Sequence, residues 1–361
     1  MRVVRQQKRV SGAGRAAGDV QRGENVSIDF GELTFSFTPT RTMFIARCEL
    51  GDKWQPGELQ PFQSLEISPA ACVLNYGQGL FEGLKAYRAD DGRILLFRPA
   101  MNAARLHAGC HRLSMPPVPE ELFLSAVRDV VSENSDYIPP NNDGALYIRP
   151  LVFGSGAILG VAPAPEFAFL IYASPVGPYF KGGLSPIRLL VTRDFHRAAP
   201  KGTGGVKAIG NYAPGMLPSS HAKRKGYAEV VYLDAVEERY IEEVGAANFF
   251  AIFGDTLVTP ALSGSILSGV TRDSVLQLAA ERFGLKVEER DVSIDEALGA
   301  DELFCSGTAA VISPIGCINY EGQDHQFSGG EVGPRTRALY EALTAIQHGD
   351  APDEFGWVVE V

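Results

Sequence analysis

The stretch that most constrains this chain is Lys201-Gly202-Thr203-Gly204-Gly205-Val206-Lys207-Ala208-Ile209-Gly210-Asn211-Tyr212. Its glycines let backbone meet backbone, or a ligand, where any side chain would clash. Among them Lys207 is flanked by Val206, Ala208 and Ile209 and not by other charges. Apolar surroundings disfavour the charged form of an amine. A neutral amine is the nucleophile that Schiff-base chemistry requires. Taken alone, the stretch also reads as a solvated surface loop. A phosphate-cradling P-loop fits less well, since that motif wants Ser or Thr after the lysine and Ala208 follows here.

The remainder of the chain narrows the choice. A net charge of −10 argues against nucleic-acid or polybasic membrane roles. No apolar run approaches the ~18 residues needed to cross a bilayer, so the chain reads as soluble and intracellular, most simply cytoplasmic. The five cysteines, Cys48, Cys72, Cys110, Cys305 and Cys317, form no C-x-x-C pair and suit a reducing compartment. The first 22 residues carry Arg2, Arg5, Lys8, Arg9, Arg15 and Arg22 against a single acid, Asp19. Residues 1–25 therefore read as a basic tail, or as the remnant of a plastid or mitochondrial targeting segment.

The 361 residues suggest two domains. Short β-like segments occupy about 33–67, and a strand is expected over Arg93–Phe97. Helices follow from Pro99 to about Leu113 and from about Pro119 to Glu133, with Phe123, Val127, Val130 and Val131 on one face. His107 and His111 stand one turn apart, but no glutamate or third ligand accompanies them, so they predict no metal site. Apolar strands are expected at Ala145–Val152 and Phe167–Ala173. Tyr147, Arg149 and Leu151 share one face of the first, and an arginine on an apolar strand asks for an anion, either a structural carboxylate or a substrate. Two prolines and three glycines in 174–183 mark an interdomain linker between residues 26–173 and 184–361, with Tyr179 and Phe180 placed to line a cleft.

In the second half, acids at Glu242 and Glu243 directly precede a buried apolar run. Gly269-Val270-Thr271 opens an amphipathic helix, whose free N–H groups could bind an anion. Gly307-Thr308-Ala309 offers a second small-residue turn of that kind. A lone lysine in an apolar glycine-rich loop, two candidate anion nests and acids beside a buried strand are the parts of a pyridoxal 5'-phosphate site: an amine for the aldehyde, donors for the phosphate, a carboxylate for the ring nitrogen.

Several motifs in sequence order then carry a resemblance. Leu80-Phe81-Glu82-Gly83-Leu84-Lys85-Ala86-Tyr87, Tyr147-Ile148-Arg149-Pro150, Ser174-Pro175-Val176-Gly177-Pro178-Tyr179, Gly204 to Tyr212 and Gly269-Val270-Thr271-Arg272 are similar to those of the branched-chain amino acid aminotransferases. These are class-IV, fold-type-IV pyridoxal phosphate enzymes, and the likeness runs from about Leu33 to the last helix. The resemblance implies an α/β fold of α+β type, in two domains with the active site in the cleft between them. It implies that Lys207 bonds the cofactor and shuttles the proton, Glu243 partners the ring nitrogen and Tyr212 the 3′-oxygen. Arg105, Leu267, Val270, Thr271 and Thr308 would hold the phosphate side. Phe35, Tyr76, Phe81, Tyr147, Arg149 and Tyr179 would form the substrate pocket, with Thr308 and Ala309 at the α-carboxylate.

The implied reaction moves the amino group of leucine, isoleucine or valine to 2-oxoglutarate in two half-reactions, in a homodimer. D-amino acid aminotransferases and aminodeoxychorismate-type lyases share the lysine and phosphate parts, but the 81–86 block and Tyr147-x-Arg149 argue against them. Three positions depart from the family pattern. Ala310 and Ser313 stand where mammalian members carry a C-x-x-C, Ser268 where many carry proline, and Ala246 where a hydroxyl residue is common.

Overall fold

A computed structural model describes residues 28–141, 143–180 and 183–361. The basic segment read at residues 1–25, with its targeting alternative, lies outside the described residues, as do Lys181 and Gly182 of the expected linker.

Two large sheets organise the chain. The first runs in the order Val358–Glu360, Ile94–Phe97, Leu84–Arg88, Ala145–Gly154, Glu166–Val176, Thr42–Glu49 and Glu58–Pro61, with Gly79–Phe81 also paired to Ala145–Gly154. All its pairings are antiparallel. Helices Pro99–Arg112 and Glu120–Glu133 cover one face. The expected Phe123, Val127, Val130 and Val131 are buried there against Phe167, Phe169 and Ile171. Proline at the first helical position supplies the φ that the helix needs and lacks only an N–H that would go unpaired.

The second sheet runs Ile241–Val244, Glu229–Leu233, Ile187–Thr192, Val311–Tyr320, Glu302–Gly307, Ala247–Phe253, Thr256–Thr259 and Lys286–Glu289, and mixes parallel with antiparallel pairs. Its central strands Ala247–Phe253, Glu302–Gly307 and Val311–Tyr320 are buried on both faces, which is why they read as largely continuous apolar runs. Phe249 points to one core, and Phe250 to the other beneath helices Val270–Glu281 and Pro334–His348. No helix among the described residues is long and apolar enough to cross a membrane.

Two details depart from the sequence reading. The strand opening at Glu166 runs on through Ser174-Pro175-Val176, because Ala145, Leu146 and Tyr147 still offer it partners. The chain's last strand, Val358–Glu360, returns to the first sheet and pairs with Ile94–Phe97, so the end of the 184–361 segment lies on the other layer. Trp357 anchors that return edge-on to Phe97 and beneath the Arg98 guanidinium.

Several bonds join the two layers around the lysine stretch. Phe81 N donates to Lys207 O (3.2 Å), and Leu80 bridges Ala208. Thr308 Oγ1 donates to Gly83 O (3.1 Å) and Lys85 Nζ to Ala309 O (2.7 Å). The lysine stretch therefore sits where the two layers meet.

Candidate active site

The glycines around Lys207 have a steric cause. A side chain at Gly204 would overlap the Ser265 carbonyl and Ala198, since the lysine loop presses against residues 263–267. Asn211 locks the loop from within: its amide donates to Thr203 O (2.7 Å) and Val206 O (2.8 Å) and accepts from Thr203 Oγ1. So held, Lys207 Nζ donates to Tyr212 OH (3.2 Å) and lies 4.7 Å from the centre of the Phe81 ring. Burial, reinforced by the nearby Arg105 charge, lowers its pKa to about 8, while Glu82 and Glu243 oppose the shift. The amine anticipated from apolar neighbours is thus much easier to deprotonate than an ordinary lysine. Burial also pushes the Tyr212 phenol up to about 12, so at neutral pH it is protonated and can donate.

Arg105 projects from helix Pro99–Arg112 into the same space. Its Nε and Nη2 donate to the two oxygens of Glu82 (2.8 and 2.7 Å), and Nη1 donates to Ser268 O (2.9 Å). Glu82 is fully buried and also accepts from Asn102 Nδ2 (2.8 Å) and Gly83 N (3.3 Å). Burial alone would raise this carboxyl, but Arg105, Lys207 and Asn102 together bring it below its ordinary value. The bidentate pair fixes the guanidinium plane and leaves the second N–H of each terminal nitrogen for an anion. That anion would also meet the N-terminus of Val270–Glu281, where Val270 and Thr271 are buried and the cap residue is Gly269. Thr271 and Thr308 line one small polar cavity with Gly83, Lys85 and Asn102.

Glu243 enters from the opposite side, on a strand whose pairing slips between Ile241 and Glu243. Both Glu242 and Glu243 are buried there. Glu243 Oε1 accepts from Asn248 Nδ2 (3.0 Å), whose other hydrogen goes to Leu267 O (2.8 Å). Glu243 Oε2 meets Arg197 Nε as an ion pair but accepts no aligned hydrogen bond. Burial pushes the Glu243 carboxyl up to about 7, with Arg197, the Leu267 amide and Lys207 pulling it down.

The side expected to take the substrate is aromatic. Phe81 meets Tyr212 edge-on at 4.6 Å, and Phe35 meets Tyr147 at 5.2 Å and Tyr179 at 6.5 Å. Phe35 and Tyr179 are exposed and form the outer lip. Arg149 stands over Phe81 (4.9 Å) and Tyr147 (5.2 Å), and its Nη2 donates to Tyr147 OH (3.2 Å). Its Nε is buried and unpartnered. Thr308 and Ala309 close the pocket through the two cross-sheet bonds described above. Tyr76 is placed differently. It ends the short helix Cys72–Tyr76, and its hydroxyl turns to the Leu159 carbonyl.

Sequence reasoning passed over Glu82, Asn102 and Arg197. A lone acid inside Leu80-Phe81-Glu82-Gly83-Leu84 was a usable signal, because an acid in an apolar run needs a buried cation. Arg197 gave none, lying among Arg193, Asp194 and Lys201. His107 and His111 form an exposed ring pair 5.1 Å apart on their helix, and no group of three metal-ligating side chains occurs among the described residues. Cys305 and Cys317 are both buried, and Ser313 faces Cys305 across the strand pair.

The donor set suits a phosphorylated aromatic aldehyde. A buried amine of lowered pKa, a carboxylate oxygen without a hydrogen bond, a phenol and a guanidinium beside a helix N-terminus converge on one space. Comparison with known proteins agrees. The family described as amino-transferase class IV matches residues 79–318. A chloroplastic branched-chain amino acid aminotransferase of Humulus lupulus is 52% identical over 338 residues, 94% of this chain and 83% of that one. The crystal structure of the Escherichia coli branched-chain amino acid aminotransferase superposes with a TM-score of 0.76 at 30% identity, covering 88% of this chain and 98% of the other. The branched-chain amino acid aminotransferase of Thermobaculum terrenum, in its PLP-bound holo form, gives a TM-score of 0.76 at 25% identity, over 89% and 98% of the two chains.

Proposed function

The chain belongs to the class-IV amino-transferases, and from that premise we propose that it exchanges amino groups between leucine, isoleucine or valine and 2-oxoglutarate. It is a branched-chain amino acid aminotransferase that uses pyridoxal 5'-phosphate. The observation that carries the reading is Lys207, a buried amine of lowered pKa in contact with Tyr212 and Phe81.

When bound, the cofactor supplies an aldehyde that takes up and hands on the amino group, and a ring that withdraws electrons from the substrate's Cα. The side chains have separable tasks. Lys207 Nζ would hold the cofactor at its aldehyde carbon and would carry the proton removed from the substrate's Cα. Tyr212 OH donates toward the ring oxygen, and its contact with Lys207 keeps the two on one side. Glu243 holds a proton at the ring nitrogen. Arg105, made rigid by Glu82, grips the phosphate together with the amides of Val270 and Thr271 and the hydroxyls of Thr271 and Thr308, while the Leu267 segment closes that side. The α-carboxylate meets the Thr308–Ala309 turn. Phe35, Phe81, Tyr147 and Tyr179 exclude water from an aliphatic side chain, and Arg149 receives the second carboxylate of glutamate.

A boundary near 174–183 is supported by the change there from first-sheet to second-sheet strands, with Val358–Glu360 returning to the first sheet. A homodimer is the expected assembly: Leu159 and Val161 are 92% and 86% exposed on the loop that follows Ala145–Gly154, and apolar side chains so presented suit a partner subunit. Tyr76 touches that loop at Leu159, which puts it on the side where a partner would complete the pocket. An intracellular site fits the five unpaired cysteines, and import into a plastid or mitochondrion is the reading that an Arg-rich N-terminus adds.

The test is direct. Purified protein should show visible absorbance from bound cofactor and form glutamate from 2-oxoglutarate with each of leucine, isoleucine and valine. Little turnover with all three, beside brisk turnover of D-alanine, would refute the reading.

A further inference from the structure

Two neighbouring carboxyls, Glu242 and Glu243, are buried at the pairing slip, and one buried guanidinium meets them. Arg197 has a side chain only 7% exposed and spans three segments of the site. Its Nε pairs with Glu243 Oε2, its Nη1 donates to Ser265 O (2.7 Å), and Nη1 and Nη2 both reach toward Gly204 O (3.4 Å). Gly204 belongs to the lysine loop and Ser265 to the loop leading to the phosphate helix. Glu242 is served differently, by the Ser265 hydroxyl on Oε1, with Oε2 buried and unpartnered.

We infer that Arg197 is a positioning residue that keeps Glu243 ionised and aimed at the ring nitrogen while tying the lysine loop to the phosphate loop. This rests on the reading of Glu243 as the partner of that nitrogen. The groups facing Glu243 are Arg197, Lys207, Glu242, Tyr212 and Asn248. Lys207 is the other cation among them, and burial lowers its pKa to about 8. Arg197 is then the full positive charge that opposes the cost of a buried carboxylate, beside the neutral donors Asn248 and Leu267. Its contact with the carboxylate is direct, so it lowers the carboxyl's proton affinity more than that of a nitrogen on the far side. The shared proton therefore rests on the nitrogen. Glu242 lies beside it with its carboxyl raised by burial and takes its hydrogen bond from the Ser265 hydroxyl.

The test compares holoenzyme carrying Arg197→Met, Arg197→Lys, Glu243→Gln and the Arg197→Met/Glu243→Gln pair. Ring-labelled cofactor read by nitrogen NMR reports the proton directly, independently of turnover. In Arg197→Met the nitrogen should lose its proton near neutral pH, and turnover should fall on the order of ten- to a hundredfold. The sign follows from burial: without Arg197 the Glu243 pKa rises, so the acid limb of the rate profile should move up by about one unit or more, with activity returning as pH increases. Arg197→Lys keeps a cation and should leave the limb near its wild-type position. Adding Arg197→Met to Glu243→Gln should cost less than about twofold, because the two act as one unit.

Three results would overturn the inference: an unmoved nitrogen signal in Arg197→Met, a further large loss in the double variant, or an acid limb displaced equally by Lys and Met. If Arg197→Met fails to fold, Arg197→Lys with Glu243→Gln still decides it. A wild-type protein that binds no cofactor would instead sink the functional reading beneath it.

Discussion

Replacing Arg149 with methionine separates the two amino donors that one pocket has to accept. Leucine brings an aliphatic side chain, whereas glutamate brings a carboxylate that must be desolvated in the same place. In the proposed reading Arg149 serves the second. Its guanidinium is sandwiched against Phe81 and Tyr147, spends one donor on Tyr147 OH, and keeps a buried Nε with no partner. A buried cation left in that state is costly unless an anion arrives. Methionine retains most of the stem and its contact with the rings but deletes the charge. A charged hydrogen bond is worth about 1.5–3 kcal/mol, so glutamate and 2-oxoglutarate should lose on the order of ten- to a hundredfold in apparent affinity. Leucine should change by less than about threefold, a shift of under ~0.7 kcal/mol. The assay follows each half-reaction alone through the visible absorbance of the cofactor, so that binding of one donor is never confounded with the other. Equal losses for leucine and glutamate would refute the reasoning and leave Arg149 as a packing element of the aromatic wall.

Lys207→Ala should yield no borohydride-stable cofactor adduct on peptide mapping, whereas wild type is labelled at Lys207. Because burial holds that amine at about 8, cofactor attachment to the unloaded protein should speed up as pH rises through 8 and level off above it; a rate flat between pH 6 and 9 would contradict the free-amine argument. Glu243→Gln keeps the shape and removes the charge, so turnover should fall by roughly two to four orders of magnitude with cofactor affinity little changed; near-wild-type rates would move the role elsewhere. Glu82→Gln strands Arg105 as an uncompensated buried cation. Thermal or denaturant unfolding should then show a loss of about 3–5 kcal/mol together with weaker cofactor binding, and unchanged stability would mean that Arg105 finds another partner.

What could be read from the sequence, and what could not, divides along one physical line. Periodicity reports burial on one face of one element. The helices at Pro99–Arg112 and Glu120–Glu133 and the strand face holding Tyr147 and Arg149 were therefore legible from spacing alone. The glycine-rich lysine loop was legible because close approach of two backbones leaves a compositional mark, and Gly204 against the Ser265 carbonyl is that approach. Pairing between remote segments leaves no such mark. Arg197 and Glu243 meet across 46 positions of chain, and Arg105 and Glu82 across 23, yet nothing local distinguishes these arginines from their solvated neighbours.

The return of Val358–Glu360 to the first sheet was hidden for the same reason, since three residues of strand carry no period to read. The slip at Ile241/Glu243 shows the limit most sharply. Two consecutive glutamates on a strand predict one facing solvent, yet both are buried beside an irregular pairing in a sheet that has cores on either face. Burial is what gives the site its chemistry: it lowers the Lys207 pKa, raises that of Glu243 and makes Arg197 necessary. The roles that resemblance carried over could name Glu243 but not the cation that its burial requires. That requirement follows from the cost of burying a charge, and it became visible only when the sheets brought residues 197, 204, 243 and 265 together.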